Sequence, residues 1–63
     1  MKMYHRQLRE RLVAFRKALS PPIRYIARNI DVSPMTIWRF IRGENIREET
    51  LKRLDQFLKH YGF

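Results

Sequence analysis

Arginine is the residue whose chemistry stands out in this sequence. The stretch 20–43 contains one tryptophan, Trp38, and four arginines: Arg24, Arg28, Arg39 and Arg42. A guanidinium group binds phosphate through two parallel hydrogen bonds, and it matches the acceptor edge of guanine in the same way. The types and spacing of these side chains therefore indicate binding of a polyanion.

The net charge of +8 supports the same interpretation, because it is distributed unevenly. Residues 1–42 contain ten basic and two acidic side chains, whereas residues 43–63 contain four of each. The whole positive excess therefore precedes Gly43. Such a surplus favours an anionic partner, with nucleic acid preferred to a membrane surface.

Other chemistries are poorly represented. The chain has no Cys, and its two histidines, His5 and His60, are far apart, so we expect no metal and no cofactor. Paired carboxylates, a Ser/His arrangement and a glycine-rich phosphate loop are all missing, so we expect no enzyme and no small-molecule substrate. Without an apolar run of membrane-spanning length or a signal segment, a cytoplasmic protein with no membrane partner is expected.

Apolar residues at helical spacing predict a first helix from Met1 to Ala18. Its buried stripe would be Tyr4, Leu8, Leu12, Phe15 and Leu19, widened by Val13. The helix must end before Pro21, since a residue preceding proline is pushed out of the α region. The opposite face is interpreted as a solvated basic face formed by Arg6, Arg9, Arg16 and Lys17.

Two shorter helices follow, each introduced by a Ser-Pro pair. Ser20 is the predicted N-cap of a helix from Pro21 or Pro22 to about Ile30. Ser33 is the predicted N-cap of a helix from Pro34 to about Arg42, closed by Gly43. Asp31 falls in the turn between them, where it can accept a left-handed conformation at modest cost. The predicted core positions are Ile23, Ile26, Ala27, Ile30, Val32, Ile37, Phe40 and Ile41.

A fourth helix is predicted to end near Tyr61, and two starting points fit the sequence. Asn45 with Glu48 fits a capping box, whereas Ile46 with Leu51 fits a hydrophobic staple around Arg47. Its apolar stripe is Leu51, Leu54, Phe57, Leu58 and Tyr61. We therefore expect an all-α chain of four helices forming a single domain, small enough that a partner subunit could contribute to its stability.

Residues 23–43 resemble the helix-turn-helix of the lambda-repressor-like (Cro/CI, XRE) family of phage and mobile-element DNA-binding proteins. The resemblance rests on the small residue of the first helix, the turn, the second helix and its terminal glycine: Ala27, Val32, Ser33, Ile37, Phe40 and Gly43. Leu19-Ser20 before this segment, and Glu49-Thr50-Leu51 with Leu54 and Leu58 after it, extend the match to residues 8–58. The usual turn glycine is Asp31 here, and the family's fifth helix has no counterpart.

The resemblance implies a sequence-specific double-stranded DNA-binding regulator, such as a repressor, with helix 34–42 in the major groove. The base-contacting residues would be Pro34, Met35, Thr36, Trp38 and Arg39. The phosphate-contacting residues would be Ser33, Arg24, Arg28, Arg42, Asn45 and Arg47. The family also suggests a homodimer on a palindromic operator.

Two other classes of function stay open at this point. A protein-binding module, such as an antirepressor or a transcription cofactor, would use Trp38 and Met35 to hold a protein instead of DNA. A cationic amphipathic helix formed by residues 1–19 would act at a membrane, although the capping signals of a four-helix core argue against it. Trp38 also has a structural alternative, in which it packs against the fourth helix as part of the core.

Overall fold

A computed structural model describes residues 2–63 of the chain, with side chains from Tyr4 onward. Its helices are α1 (Lys2–Leu19), α2 (Ile23–Asn29), α3 (Pro34–Ile41) and α4 (Glu48–His60). No strand occurs in residues 2–63, so the predicted all-α class with four helices is confirmed. The predicted start of the first helix at Met1 lies outside the described residues.

The core takes one face from each helix. Its buried apolar residues are Leu8, Leu12, Phe15, Ile23, Ile26, Ala27, Ile30, Ile37, Phe40, Leu51, Leu54 and Leu58. α1 packs against both α3 and α4, while α2 packs against α3. Removing these side chains from water is the main force that holds the helices together.

Three predicted core residues of α1 are exposed: Tyr4, Val13 and Leu19. Val13 follows Leu12, and a step of one residue turns the side chain 100° around the helix, away from the buried stripe. Tyr4 and Leu19 do lie on the stripe, but they are near the two ends of α1, where their side chains are 37% and 54% exposed. The stripe is therefore shorter than its spacing predicts.

Ser20 ends α1 instead of starting α2, so its predicted role as an N-cap is wrong. It has a positive φ of 52°, and its N–H donates to the carbonyl oxygen of Arg16 at 2.8 Å. α2 begins only at Ile23, after Pro22, which has an extended backbone and makes no side-chain cap. The Pro21-Pro22 pair therefore separates Ser20 from the helix that it was expected to cap.

Each of the other three helices ends with a left-handed residue after its C-cap residue. These residues are Asp31, Gly43 and Gly62, with φ of 59°, 114° and 85°. The N–H of the next residue then donates to the carbonyl five positions earlier, in the pairs Val32–Ala27, Glu44–Arg39 and Phe63–Leu58. This is the Schellman arrangement, which satisfies carbonyls that a helix end leaves free. The predicted roles of Asp31 and Gly43 are confirmed.

The observed start of α4 distinguishes the two starting points that were predicted for it, the capping box at Asn45 and the hydrophobic staple around Arg47. Arg47 is the N-cap and Glu48 the first helical residue, so the capping box built on Asn45 is wrong. Ile46, directly before the cap, packs against the core to which Leu51 belongs. An apolar residue on each side of the helix start fixes the entry of the chain into α4.

A half-buried ion pair joins α1 to the C-terminal half of α4. Arg11 donates to the carboxylate of Asp55 at 2.6 Å and to the carbonyl oxygen of Phe63 at 2.7 Å. Lys59 approaches the second carboxylate oxygen of Asp55 at 3.4 Å. The hydrogen bond from Arg11, helped by Lys59, holds the pKa of Asp55 below its ordinary value of 3.8 despite partial burial.

We expect the stability contributed by Asp55 to be lost in acid. A carboxylate with a lowered pKa in the folded state stabilises the fold above its unfolded-state pKa, and this contribution disappears as the pH falls through the folded-state pKa. The melting temperature should therefore fall as the pH is lowered below about 4. This fall should be smaller in the Asp55→Asn variant. Thermal unfolding followed by circular dichroism measures the melting temperatures of the unmodified protein and of the variant at each pH. An equal fall in the two proteins would assign the acid sensitivity to other carboxylates.

Candidate nucleic-acid interface

The outward face of α3 is the starting point of the candidate interface. Ile37 and Phe40 are fully buried, so the opposite side of this eight-residue helix points to solvent. Met35, at 52% exposure, and Trp38, at 42%, lie on that side. Arg39 and Arg42 are exposed beside them. The structure thus places two large apolar side chains and two cations together on one exposed helix face.

Ser33 and Pro34 define the N-terminal end of this face. The hydroxyl of Ser33 accepts a hydrogen bond from the backbone N–H of Thr36 at 3.4 Å and lies 3.2 Å from the Thr36 hydroxyl. Pro34 occupies the first helical position, where its missing N–H costs nothing. The predicted N-cap is confirmed, and it leaves Ser33 and Pro34 exposed with Thr36 half-buried.

Trp38 contacts α1 through Arg16. The Arg16 guanidinium carbon lies 5.1 Å from the centre of the indole ring, a cation–π distance. The Nε of Arg16 is buried and has no hydrogen-bond partner among the described residues. Trp38 is thus supported from one side and exposed on the other, and the alternative that it belongs to the core is wrong.

Arg9 fixes the C-terminal end of α3. Its guanidinium carbon lies 4.7 Å from the centre of the Phe40 ring, and its N–H groups donate to the backbone carbonyls of Phe40 and Glu44. These carbonyls belong to the last turn of α3 and the segment after it, where a helix end needs donors. Arg9 and Arg16 therefore support α3, and the prediction that both lie on a solvated basic face is wrong.

The predicted phosphate-contacting arginines are all exposed: Arg24, Arg28, Arg42 and Arg47. Neither these four nor Arg39 makes an ion pair or a side-chain hydrogen bond to another described residue. By contrast, Arg6, Arg11 and Arg53 each pair with a carboxylate. Apart from Arg16 on α1, which contacts the Trp38 ring, the described arginines without an ion pair or a side-chain hydrogen bond lie on α2, on α3 and its C-cap, and at the start of α4.

Three of the predicted phosphate-contacting residues share an open groove between the starts of α3 and α4. They are Ser33, Asn45 and Arg47. The N-cap residue of α4, Arg47, makes no side-chain cap, so the first N–H groups of α4 stay available at the positive end of the helix. Arg24 and Arg28 do not line this groove, and they form a separate cationic edge on α2.

A further polar group in this groove was not anticipated from the sequence. Thr50 is only 7% exposed and lines the groove, and its hydroxyl makes no hydrogen bond to the described residues. Two carboxylates also line the groove, but Asp31 lies 4.0 Å from Arg53, and Glu49 lies 3.0 Å from it. Their charge is partly compensated, so the groove can accept an anionic oxygen near Arg47 and Thr50.

The positioning roles of Arg9 and Arg16 were also missed in the sequence, although a signal was present. The two residues are seven positions apart, which places them on the same side of a helix. That side contacts α3, because α1 packs between α3 and α4. Periodicity showed that they share a face, but it could not show which helix covers that face.

Comparison with known proteins found no match to a family model, to a curated protein or to a solved structure. Within residues 2–63, no helix is both long and apolar enough to span a membrane. The functional argument therefore depends on the geometry and charge of the surface described above.

Proposed function

We propose that this chain is a sequence-specific double-stranded DNA-binding regulator of transcription, of the repressor or Cro type, with α3 in the major groove. The observation that carries the proposal is the exposed face of α3, where Arg39 and Arg42 have no partner among the described residues and flank Trp38 and Met35. Unpaired guanidinium groups on a short exposed helix suit the acceptor-rich floor and walls of that groove.

The arrangement of α2 and α3 supports a lambda-repressor-like helix-turn-helix within this proposal. The two helices pack together, Ala27 is buried between them and their neighbours, and Asp31 takes the left-handed conformation that the family's glycine would supply. Arg53 donates from α4 to the carbonyl of Ile30 at 3.4 Å, which ties the turn to the core. A rigid turn is what a recognition helix needs in order to present a fixed register of side chains.

Base recognition would come from the first two turns of α3. Arg39 is suited to a bidentate contact with O6 and N7 of guanine. Met35 and the Thr36 methyl group offer apolar contact to a thymine methyl, and Pro34 lies at the same end. Trp38 would pack on the sugar-phosphate edge, with its ring orientation supported by Arg16.

Phosphate contacts would position the helix without reading sequence. Arg24 and Arg28 would contact one stretch of backbone from α2, while Ser33, Asn45 and Arg47 would hold a phosphate at the groove between α3 and α4. Arg42, the exposed C-cap residue of α3, would contact the DNA backbone beside the major groove. These contacts predict a strong dependence of affinity on salt concentration.

The proposal is tested by titrating the protein onto duplex DNA at several salt concentrations. Four arginine–phosphate contacts predict a slope of about −3 to −4 for the logarithm of the binding constant against the logarithm of salt concentration. The Arg24→Gln/Arg28→Gln variant should reduce this slope by about 2. Arg6→Gln is the matched control, because Arg6 is paired with Glu10 at 3.8 Å on α1. A flat salt response would refute the phosphate contacts.

The second candidate function is a protein-binding module, an antirepressor or transcription cofactor, favoured by the exposure of Met35 and Trp38. Adjacent exposed apolar side chains of this size are typical of the centre of a protein–protein interface. Such a module would hold its partner with little dependence on salt and without a preferred DNA sequence. Selection of bound duplexes from a random pool distinguishes the two, since only the regulator returns a consensus.

A further inference from the structure

We propose that the C-terminal end of α1 binds a backbone phosphate of the DNA duplex through Arg16 and Lys17. These two residues line a shallow groove together with Val13, Ser20 and Pro21, which we call the α1 groove. Neither cation is among the phosphate contacts predicted from the sequence. The inference rests on the proposed function, because the occupant of the α1 groove is the backbone of the DNA that α3 reads.

Arg16 has a guanidinium group that is held in place but not neutralised. The side chain is half-buried, its guanidinium carbon lies 5.1 Å from the centre of the Trp38 ring, and its Nε is buried without a hydrogen-bond partner among the described residues. Arg16 also makes no ion pair within that part of the chain. A ring face attracts the cation, but only an acceptor satisfies its N–H groups, and a phosphate oxygen is a charged acceptor.

The chain around the α1 groove supplies cations and no carboxylate. Residues 11–30 contain five basic side chains and no acidic one. The flanking carboxylates, Glu10 and Asp31, lie near Arg6 and Arg53 instead, at 3.8 Å and 4.0 Å. The residues that line the groove therefore contribute two positive charges and no negative charge. Such a groove raises the local concentration of anions.

The last turn of a helix attracts cations by itself, so part of this charge has a structural role. Arg16 and Lys17 are the basic residues in the last turn of α1. A helix C-terminus has roughly half a negative charge, which the two cations exceed about fourfold. The carbonyl of Arg16 is already satisfied by the N–H of Ser20 at 2.8 Å. The pair therefore keeps a positive surplus that the helix end does not neutralise.

Trp38 connects the α1 groove with the outward face of α3. Its ring contacts Arg16 on one side, and the residue is 42% exposed. Trp38 lies about one turn from both Met35 and Arg42, which places it in the middle of the outward face. In the proposed complex its ring packs on the sugar-phosphate edge of a nucleotide. The phosphate of that nucleotide then lies beside the guanidinium of Arg16.

The link between α1 and α2 leaves the phosphate contact to side chains. Pro21 and Pro22 have no N–H, and the N–H of Ser20 donates to Arg16 inside the protein. The donors that line the α1 groove are therefore the guanidinium of Arg16, the ammonium of Lys17 and the hydroxyl of Ser20. Arg16 can hold two phosphate oxygens in a fixed orientation, whereas Lys17 acts as a flexible point charge.

The salt dependence of DNA binding distinguishes a phosphate contact from a purely structural role. Arg16→Gln and Lys17→Gln should each reduce the slope of the logarithm of the binding constant against the logarithm of salt concentration by about 1. Arg16→Lys should keep the slope, because an ammonium group still neutralises the phosphate. Arg6→Gln is the matched control on the same helix and should leave the slope unchanged, since Arg6 pairs with Glu10 and lies about 15 Å from Arg16 along the helix axis.

The same titration separates failure of the α1 contact from failure of the proposed function. If Arg16 only supports Trp38, Arg16→Gln lowers the affinity by the same factor at every salt concentration. Salt-dependent binding with the unmodified slope in both Arg16→Gln and Lys17→Gln would therefore overturn the α1 contact and leave the proposed function standing. A flat salt response of the unmodified protein would overturn both.

Uncharged DNA linkages locate the contact on the duplex. Methylphosphonate groups, each replacing one phosphate of a bound duplex, remove one negative charge at a time. At one linkage the replacement should weaken binding of the unmodified protein about tenfold and should weaken binding of Arg16→Gln no further. Lys17 is exposed, so Lys17→Gln provides the same comparison if Arg16→Gln disturbs the fold. Equal weakening of the unmodified protein and the variants at every linkage would overturn the proposal.

Discussion

The Phe40→Ala variant is expected to lose about 3–5 kcal/mol of unfolding free energy, the cost of deleting a buried phenylalanine. Phe40 is fully buried, and its ring also supports the guanidinium of Arg9, which holds the end of α3. A single domain of this size has about 5 kcal/mol of stability in total. The variant should therefore keep no more than about 2 kcal/mol of unfolding free energy, as urea denaturation followed by circular dichroism would show.

Met35→Ala is the matched control on the same helix. Met35 is 52% exposed, so its truncation should change the unfolding free energy by no more than about 0.5 kcal/mol. The contrast between these variants tests the orientation of α3 directly. If Met35→Ala cost as much as Phe40→Ala, the helix would have to be rotated, and the set of outward residues would change with it.

The Arg39→Ala variant is expected to lose about 1–3 kcal/mol of specific DNA affinity and to accept other bases at one position of the site. Arg39 is exposed and makes no contact with a carboxylate of the described chain, so its removal should leave the fold intact. The measurement compares the binding of wild type and variant to the selected consensus and to single-base substitutions of it.

Arg6→Ala removes one positive charge from α1, where Arg6 pairs with Glu10. It should change affinity only slightly, and by the same factor for every sequence, because a distant charge acts through the general field. A loss for Arg39→Ala that is uniform across sequences would place Arg39 on the phosphate backbone. The base-reading role would then have to pass to other residues of α3, such as Met35 or Thr36.

Most helix ends were predictable because they depend on neighbours in the chain. Ser33 caps α3 as expected, since its hydroxyl needs only an N–H three residues later. Gly43 ends α3, and Asp31 takes the left-handed turn, through bonds that span five residues. Such contacts depend on residue type and short spacing, both of which can be read from the order of amino acids.

Ser20 shows the limit of that local reasoning. Its residue type suits an N-cap, but the same residue can also end the preceding helix, and the two prolines after it decide between these roles. Pro22 is extended, and α2 starts only at Ile23. The Ser-Pro signal was therefore correct at Ser33 and misleading at Ser20, because the second proline moved the helix start out of reach.

The candidate interface also combines features that residue order determines with features that depend on how the helices pack. Its composition followed from the sequence, since the positive excess before Gly43 and the helical spacing of Met35, Trp38, Arg39 and Arg42 require no knowledge of packing. The DNA-binding role remains a proposal that the experiments above test. The groove shared by Ser33, Asn45 and Arg47, with the buried Thr50, depends on how α3 and α4 approach each other.

The amino-acid order was enough to establish the helical class, the charge and the ends of most helices, because these depend on residue type and on contacts within about five positions. It could not separate the arginines that support the fold from those left free. Arg9, Arg11 and Arg16 acquire their roles from Phe40, Asp55 and Trp38, which are 22 to 44 residues away. Pairings of that length exist only once α1 has packed between α3 and α4.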